Sequence, residues 1–193
     1  MQNTIPGFML TEECKLLGKI FSKYNKTDTI GVEIGSFLGR SAFEIANSIS
    51  LGKLYCIDKW NEWEVGEPSR FSVPDNKPVK GTRCSLETFL ENTKECKNIT
   101  PIKGFSPECV SDWSTKIDFV FLDALHRNPS DRRSIDFWLP KLKTGGMFAG
   151  HDYYPSYPNL YPDILENVKH IEELLGKSVT FPNIGSIWWF DIE

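Results

Sequence analysis

The sequence predicts an α/β protein built on a doubly wound, mostly parallel sheet. Short apolar segments alternate with segments of helical periodicity along the 193 residues. Strands that alternate with helices in this way form parallel sheets with right-handed crossovers. The run at 117–122 is apolar almost throughout, as expected of a parallel strand covered on both faces. A chain of this length can bury a full core, so we expect a single domain.

Local patterns predict the elements in chain order. Leu17, Ile20 and Phe21 repeat at helical spacing, so we expect residues 1–28 to form a helical segment that packs on a core domain of residues 29–193. Strands are predicted at 29–34, 53–57, 99–103, 117–122, 147–149, 179–181 and 186–191. The helices that connect or follow them are predicted at 41–48, 82–97, 107–113, 130–142 and 161–175.

Composition excludes several classes of protein. The formal net charge of -4 argues against nucleic acid as the main partner, because phosphate binding needs clustered Lys and Arg. No apolar run is long enough to span a membrane, and the N-terminus lacks a signal-peptide pattern. The five cysteines contain no C-x-x-C pair, so we expect reduced thiols and a cytoplasmic protein.

The segment 29–41 carries the main functional signal. An apolar strand reaches Glu33, breaks at Gly35 and Gly39, and gives way to a helical pattern that begins at Ser41. A strand that passes through a glycine turn into a helix N-terminus brings backbone N–H groups close to a ligand. A ligand site is therefore expected at the end of the first strand.

The spacing of the glycines favours one ligand over another. A dinucleotide loop reads G-x-G-x-x-G, and counted from Gly35 it needs glycine where this chain has Phe37 and Arg40. The loop is poorly suited to a pyrophosphate. It better suits a nucleoside that carries a small charged group, such as S-adenosylmethionine (SAM). Asp58 ends the second strand, where a carboxylate can accept hydrogen bonds from the ribose hydroxyls.

A second group of polar residues follows the fourth and fifth strands. Asp123 and Asp152 offer hard oxygen ligands that suit Mg²⁺ or a similar ion, while His126 and His151 are candidate bases. Transfer of a methyl group to a hydroxyl needs either a base or a cation that lowers the pKa of the hydroxyl. The alternative is that Asp123 only orients its loop and that His151 is a buried hydrogen-bonding residue.

Aromatic residues crowd two segments that leave the carboxyl ends of strands. The loop at 60–81 has three prolines and no sustained periodicity, and long loops of this kind are usually functional or disordered. We expect the aromatic residues of both segments to form the wall of an acceptor pocket, although packing against neighbouring loops is the alternative for each one. These residues are Trp60, Trp63, Phe71, Tyr153, Tyr154, Tyr157 and Tyr161.

Together these motifs resemble the class I SAM-dependent methyltransferases, and most closely methyltransferase domain family 24, which is related to sugar O-methyltransferases. The matching pieces are VEIGSFLGRS (32–41), YCID (55–58), GFS (104–106), IDFVFLDALH (117–126), WLPKLKTGG (138–146) and AGHDY (149–153). The resemblance implies a Rossmann-like sheet of seven strands, with the last one antiparallel. It also implies that Asp123 and Asp152 are metal ligands.

The resemblance further implies where the cofactor lies. Glu33, Gly35, Ser36 and Ser41 would line the methionine end of SAM, Asp58 would hold the ribose, and Phe105 and Ser106 would lie near the adenine. The full set of expected cofactor-binding residues is Glu33, Gly35, Ser36, Gly39, Ser41, Asp58, Phe105, Ser106 and Asp123. The expected catalytic residues are Asp123, His126 and His151.

The sequence therefore predicts an O-methyltransferase with a small hydroxylated acceptor, a glycan or another polyhydroxy metabolite. Either the 60–81 loop or the second subunit of a homodimer would cover the acceptor. Two alternatives remain at this point. One is an NAD-dependent oxidoreductase, which the missing G-x-G-x-x-G disfavours, and the other is a SAM-fold subunit without catalysis.

Overall fold

The computed structural model describes residues 4–65, 78 and 80–193, and a six-stranded sheet lies at its centre. In chain order the strands are β1 (Ile30–Ile34), β2 (Lys53–Asp58), β3 (Asn61–Glu64), β4 (Arg83–Ser85), β5 (Ile99–Lys103), β6 (Ile117–Leu122), β7 (Leu142–Gly150) and β8 (Trp188–Asp191). The large sheet has the order β5-β2-β1-β6-β7-β8. Its pairs are parallel except for β7 and β8, while β3 and β4 form a separate antiparallel pair.

The described helices connect the strands or flank the sheet. They are α1 (Thr11–Phe21), α2 (Arg40–Ser48), α3 (Leu86–Asn92), α4 (Ser130–Trp138) and α5 (Pro162–Leu175). Short 3-10 turns occur at Ser22–Tyr24, Glu108–Val110 and Leu139–Lys141. Among the described residues, no helix is long and apolar enough to cross a bilayer.

Core side chains divide between the two faces of the sheet. Along β6, Phe119 and Phe121 pack toward α1 and α2, and Val120 and Leu122 pack toward α4 and α5, as the alternation of side chains in a strand requires. On the first face, the ring of Phe21 lies 4.3 Å from that of Phe119, centroid to centroid. The N-terminal helix therefore covers one face of the sheet.

The α/β class and the antiparallel last strand are confirmed, but the expected strand count is wrong. The sheet has six strands, not seven, because the segment predicted as a strand at 179–181 makes only one antiparallel bridge, between Thr180 and Trp189. Pro182 follows it directly, and a residue without a backbone N–H cannot extend a ladder.

The long loop also differs from the prediction. Its first residues form β3, which pairs with β4 at the start of the segment predicted as a helix from 82, so that α3 begins only at Leu86. Residues 66–77 and 79 lie outside the described part of the chain, and Phe71 is among them.

Candidate active site

A pocket of about 790 Å³ opens at the edge of the sheet where the parallel strands end. Ligands of open α/β sheets bind at this edge. Each of β1, β2, β5, β6 and β7 contributes a residue to the pocket wall at or just past its last position, namely Gly35, Asp58, Ser106, Asp123 and Asp152. The structure therefore brings together five strand ends that the sequence predicted to be functional.

The turn after β1 depends on glycine for two separate reasons. Gly35 has φ +90° and Gly39 has φ +95°, a region that favours glycine. A Cβ at Gly35 would overlap the backbone carbonyl of Asp123, so this turn lies directly against the end of β6. Gly39 instead packs against Thr93 and Phe89, away from the pocket wall, and precedes the first residue of α2. Of the two, Gly35 shapes the pocket and Gly39 supports the helix.

Asp58 joins the end of β2 to this turn. Its Oδ2 accepts a hydrogen bond from the backbone N–H of Phe37 at 2.9 Å, and its Oδ1 accepts one from the N–H of Trp60, also at 2.9 Å. Each carboxylate oxygen can accept a further bond. Asp58 lines the pocket, so it can hold the turn and a hydroxylated ligand at the same time.

Trp60 does not line the pocket and follows the alternative given above, packing against neighbouring residues. Its indole is fully buried, packs on Phe89 with ring centroids 4.7 Å apart, and donates from Nε1 to the carbonyl of Phe37 at 2.8 Å. Among the tyrosines after β7, Tyr154 and Tyr161 line the pocket. Tyr153 packs on Phe181 instead, and Tyr157 is largely exposed.

Glu33 lies behind the pocket wall that Ser36 and Ser41 form. The carboxylate is fully buried, and within the described residues neither its oxygens nor the Ser36 hydroxyl has a hydrogen-bond partner. Burial raises the pKa of Glu33 to about 7, although the nearby hydroxyls of Ser36 and Ser41 work in the opposite direction. A buried acid with unmet hydrogen-bonding capacity beside a pocket suits a ligand that brings a donor.

Phe105 and Ser106 follow β5 and have different surroundings. Ser106 is buried, and its Oγ accepts from the indole Nε1 of Trp138 at 2.9 Å and from the Ser134 hydroxyl at 3.2 Å, which ties the loop to α4. Phe105 is half exposed, with the Lys59 ammonium 5.5 Å from its ring centroid. The ring of Phe105 can therefore take a planar ligand, while the Ser106 hydroxyl mainly holds the backbone.

His151 is buried among three carboxylates. Its Nε2 donates to Oε1 of Glu13 at 3.0 Å, and its Nδ1 lies 3.3 Å from Oδ2 of Asp152 and 3.6 Å from Oδ1 of Asp123. Burial alone would lower the pKa of His151, but the negative charges of Asp123 and Asp152 outweigh it and hold the pKa well above its usual range. Both ring nitrogens of His151 therefore face carboxylates.

Asp123, His126 and Asp152 form a cluster at the pocket. Nε2 of His126 lies 3.2 Å from Oδ2 of Asp152 and 3.8 Å from Oδ1 of Asp123. The ring of Tyr161 lies over this side, 5.2 Å from that of His126. One ligand atom from each member of the cluster falls within 4.8 Å of the others. The donor set of two carboxylates and one imidazole fits a divalent cation that tolerates nitrogen.

Glu13 and Ser186 contact the candidate site, and neither was predicted from the sequence. Glu13 sits in the first turn of α1, where an acid is common for the helix dipole alone. Its Oε1 accepts from the backbone N–H of Ser186 at 2.7 Å, and its Oε2 from the N–H of Leu10 at 2.8 Å. Burial would raise the pKa of Glu13, but His151 and these N–H groups outweigh it and lower the pKa.

Arg40 brings the N-terminal segment to the same pocket. Its buried guanidinium donates from Nε to the carbonyl of Met9 at 2.9 Å and from Nη1 to that of Ile5 at 2.8 Å. A Cβ at Gly7 would meet the side chain of Arg40. Arg40 therefore holds the segment before α1 against the glycine turn. Phe8 of this segment stacks on Phe37 of the turn, with ring centroids 5.5 Å apart.

The sheet order and this pocket define a Rossmann-like methyltransferase fold of class I. A family model described as a methyltransferase domain, Methyltransf_24, matches residues 32–153, more than half of the chain, and the chain belongs to that family of SAM-dependent methyltransferases. The match spans the ends of β1, β2, β5, β6 and β7. An NAD-dependent oxidoreductase is thereby excluded as the class of this enzyme.

Solved structures share the fold at low sequence identity. A Staphylococcus aureus protein provisionally assigned as a caffeoyl-CoA O-methyltransferase has a TM-score of 0.65 and 15% identity, and the match covers 99% of this chain and 87% of that chain. The O-methyltransferase TomG from Streptomyces achromogenes, in complex with SAM, has a TM-score of 0.62 and 17% identity, with 96% and 82% covered. A provisionally assigned methyltransferase from Streptococcus mutans, in complex with SAH, has a TM-score of 0.61 and 15% identity, with 95% and 99% covered.

Proposed function

We propose that the enzyme transfers the methyl group of SAM to a hydroxyl of a small acceptor, a sugar, glycan or similar polyhydroxy metabolite. One observation carries the proposal: the polar cluster of Asp123, His126 and Asp152 opens into the same pocket as Asp58 and the glycine turn. Cofactor and acceptor can therefore meet within one cavity. The large cavity volume, about 790 Å³, is within the range of small-molecule sites.

The residues at the ends of β1, β2 and β5 fit SAM. Asp58 has acceptor capacity for the ribose hydroxyls, and the half-exposed Phe105 offers a face for the adenine. Glu33 and Ser36 have unmet hydrogen-bonding capacity, which the ammonium group of the methionine moiety would satisfy. A bound cation would also favour the ionised form of Glu33, whose pKa burial raises to about 7.

The acceptor side supplies a place for the proton. Because both ring nitrogens of His151 already face carboxylates, we assign the base to His126, which lies at the pocket beside Asp152. The acceptor oxygen attacks the methyl carbon, the carbon–sulfur bond breaks with its electron pair left on sulfur, and His126 takes the hydroxyl proton. S-adenosylhomocysteine (SAH) and the methyl ether are the products. Orientation within the pocket supplies a large part of the rate.

A divalent cation would be held by Asp123, His126 and Asp152, the cluster whose ligand atoms lie within 4.8 Å of one another. Bound there, it would lower the pKa of the acceptor hydroxyl. The imidazole favours a transition metal over Mg²⁺. The polar side chains of the cluster would form hydrogen bonds with the hydroxyls of the acceptor. Its ring or apolar edge would contact Leu125, Tyr154, Leu160 and Tyr161.

The test measures cofactor binding and transfer separately. SAH should raise the Tm of the full chain, and SAM should be converted to SAH when a panel of sugars and phenols is added, with and without EDTA and Mn²⁺. His126→Ala should lower turnover about 10²-fold or more, as expected for loss of a general base. His170→Ala is the matched control, because His170 on α5 pairs with Asp136 on α4, and neither residue lines the pocket.

The outcomes separate the alternatives. No Tm shift at millimolar SAH would contradict cofactor binding. A shift without transfer to any member of the panel would favour a non-catalytic subunit. Equal turnover in the two histidine variants would remove His126 from the mechanism. Full loss of turnover in EDTA, restored by Mn²⁺, would mean that a metal ion bound by the cluster activates the acceptor hydroxyl.

A further inference from the structure

Glu13 is separated from the β6 and β7 strand ends by most of the chain, yet it is a buried neighbour of their side chains. Only 2% of the residue is exposed. Besides the Leu10 and Ser186 N–H groups, its Oε1 accepts from Nε2 of His151 at 3.0 Å and lies 3.3 Å from the Ser186 hydroxyl. A carboxylate that accepts this many bonds has its orientation fixed, because each rotation would leave a buried donor unpaired.

The backbone opposite makes room for this carboxylate. Gly185 has φ +59°, and a Cβ there would overlap the Glu13 side chain. The next residue, Ser186, links Glu13 to the strand ends a second time, since its Oγ accepts from the backbone N–H of Asp152 at 3.0 Å. Two routes, one through His151 and one through Ser186, therefore connect Glu13 to Asp152.

The first route sets the direction of an imidazole ring. With Nε2 bound to Glu13, the opposite nitrogen of His151 faces Asp152 at 3.3 Å and Asp123 at 3.6 Å. These two carboxylates belong to the cluster assigned above to the acceptor. The ring is almost fully buried, so water cannot replace Glu13 as the acceptor for Nε2 without a rearrangement.

We propose that Glu13 is a positioning residue for methyl transfer: it fixes the His151 ring, and through it the Asp123 and Asp152 carboxylates against which the acceptor hydroxyl lies. The inference rests on the proposed function for the place of the acceptor, and on the hydrogen-bond geometry for the role of Glu13. Glu13 lies in the pocket wall, but both of its oxygens accept hydrogen bonds from protein donors, so we expect it to act through His151. Groups that orient the side chains of a site in this way contribute about 10- to 100-fold in activity.

The experiment has one readout that needs no acceptor. The chain has three histidines, so the imidazole N–H protons of the full-length protein give a simple NMR spectrum, and the spectrum of His151→Asn assigns the His151 signals. The buried Nε2–H of His151 should exchange slowly in the wild type and in Glu13→Gln, whose side-chain oxygen can still accept. It should exchange fast, or disappear, in Glu13→Ala.

The second readout is kinetic and uses the acceptor that supports SAH release in the panel above. Glu13→Ala should lower kcat about 10- to 100-fold with the KM for SAM within about twofold, and Glu13→Gln should recover part of the rate. Leu17→Ala is the matched control: Leu17 is fully buried on the same helix but contacts the apolar core, so it should lower the Tm and leave kcat unchanged well below the Tm.

Three results would overturn the inference. A protected His151 signal in Glu13→Ala would show that Glu13 does not hold the ring. An equal fall in kcat in Leu17→Ala would show that Glu13 acts only by docking the helix. A loss of SAH binding in Glu13→Ala would show that Glu13 acts on the cofactor instead. If the wild type transferred no methyl group while the His151 signal behaved as expected, the proposed function would fail and the Glu13–His151 contact would stand.

Discussion

The two halves of the pocket are built in different ways. The half that we propose for the cofactor, called the cofactor half, lies at the ends of β1, β2 and β5. It is made from a glycine turn and from Asp58, which accepts hydrogen bonds from the N–H groups of Phe37 and Trp60. The half that we propose for the acceptor, called the acceptor half, lies at the ends of β6 and β7 and is made from the carboxylates around His151. The first depends on backbone conformation, and the second depends on charges that must be held in place.

The halves also differ in the sequence separation of their contacts. Phe37 and Asp58 are 21 residues apart, whereas His151 and Glu13 are 138 apart and Ser186 and Glu13 are 173 apart. A local contact needs only one β-α-β step to form. The acceptor half needs the N-terminal helix and the segment before β8 to be docked first. We therefore expect substitutions in the two halves to affect different measurements.

The largest effect is expected at Asp123. Asp123→Ala should reduce turnover by about 10²- to 10⁴-fold, the range for loss of general acid–base catalysis. It should leave SAH binding intact. Asp58→Asn is the counterpart in the other half, since an amide cannot accept from both the Phe37 and Trp60 N–H groups. It should weaken SAH binding with a smaller effect on kcat. Loss of SAH binding in Asp123→Ala, measured by calorimetry, would break the division between the halves.

The next effect tests the backbone contact between the halves. Gly35→Ala would place a Cβ on the carbonyl of Asp123 at a positive φ, so it should lose about 2–5 kcal/mol of stability in urea unfolding, from overpacking and backbone strain together. Gly81→Ala is the control, because Gly81 also has a positive φ but no atom of the described residues lies within 4 Å of its Cβ position. It should lose only about 1–2 kcal/mol. Equal losses would mean that the turn is not packed on β6 as described.

The smallest effect is a pH dependence within the cofactor half. Because burial raises the pKa of Glu33 from 4.5 to about 7, the folded protein holds this proton more tightly than the unfolded chain. Stability from Glu33 is therefore present below pH 4.5 and lost as the pH rises to about 7, by up to about 3 kcal/mol. Glu33→Gln should gain stability over the wild type between pH 5 and 8, and less when SAH is bound. The free energy of urea unfolding of the two proteins would be compared across this pH range. If the difference between them did not change with pH, Glu33 would not be a buried acid with a raised pKa.

The sequence was sufficient to place Gly35 and Asp58 at one edge of the sheet because their features are local. Gly35 and Asp58 stand at strand ends that periodicity alone could place, and the spacing of the glycines decided against a dinucleotide. Asp123, His126, His151 and Asp152 were also found together, since each follows a predicted parallel strand. The structure assembles them in the pocket, while their catalytic roles remain predictions.

Other features were beyond reach because packing at long range decides them. Trp60 looked like a loop aromatic, but Phe89 and the carbonyl of Phe37 bury it. Glu13 has the sequence position of an ordinary acid in a first helical turn. Only its packing against Gly185 and its hydrogen bond with His151 in the structure show its role. The seventh strand is missing because Pro182 stops the short ladder at Thr180. The periodicity of the neighbouring residues did not show this effect.

The bond between Glu13 and Ser186 has a consequence for biosynthesis. A ribosome adds Ser186 long after Glu13, with 172 residues between them, since the two positions are 173 apart. A nascent chain can shape the turn after β1 once the first two strands have emerged, but the anchor on Ser186 cannot form until those 172 residues have been added. The contacts that hold His151 are therefore completed well after the turn after β1 can form.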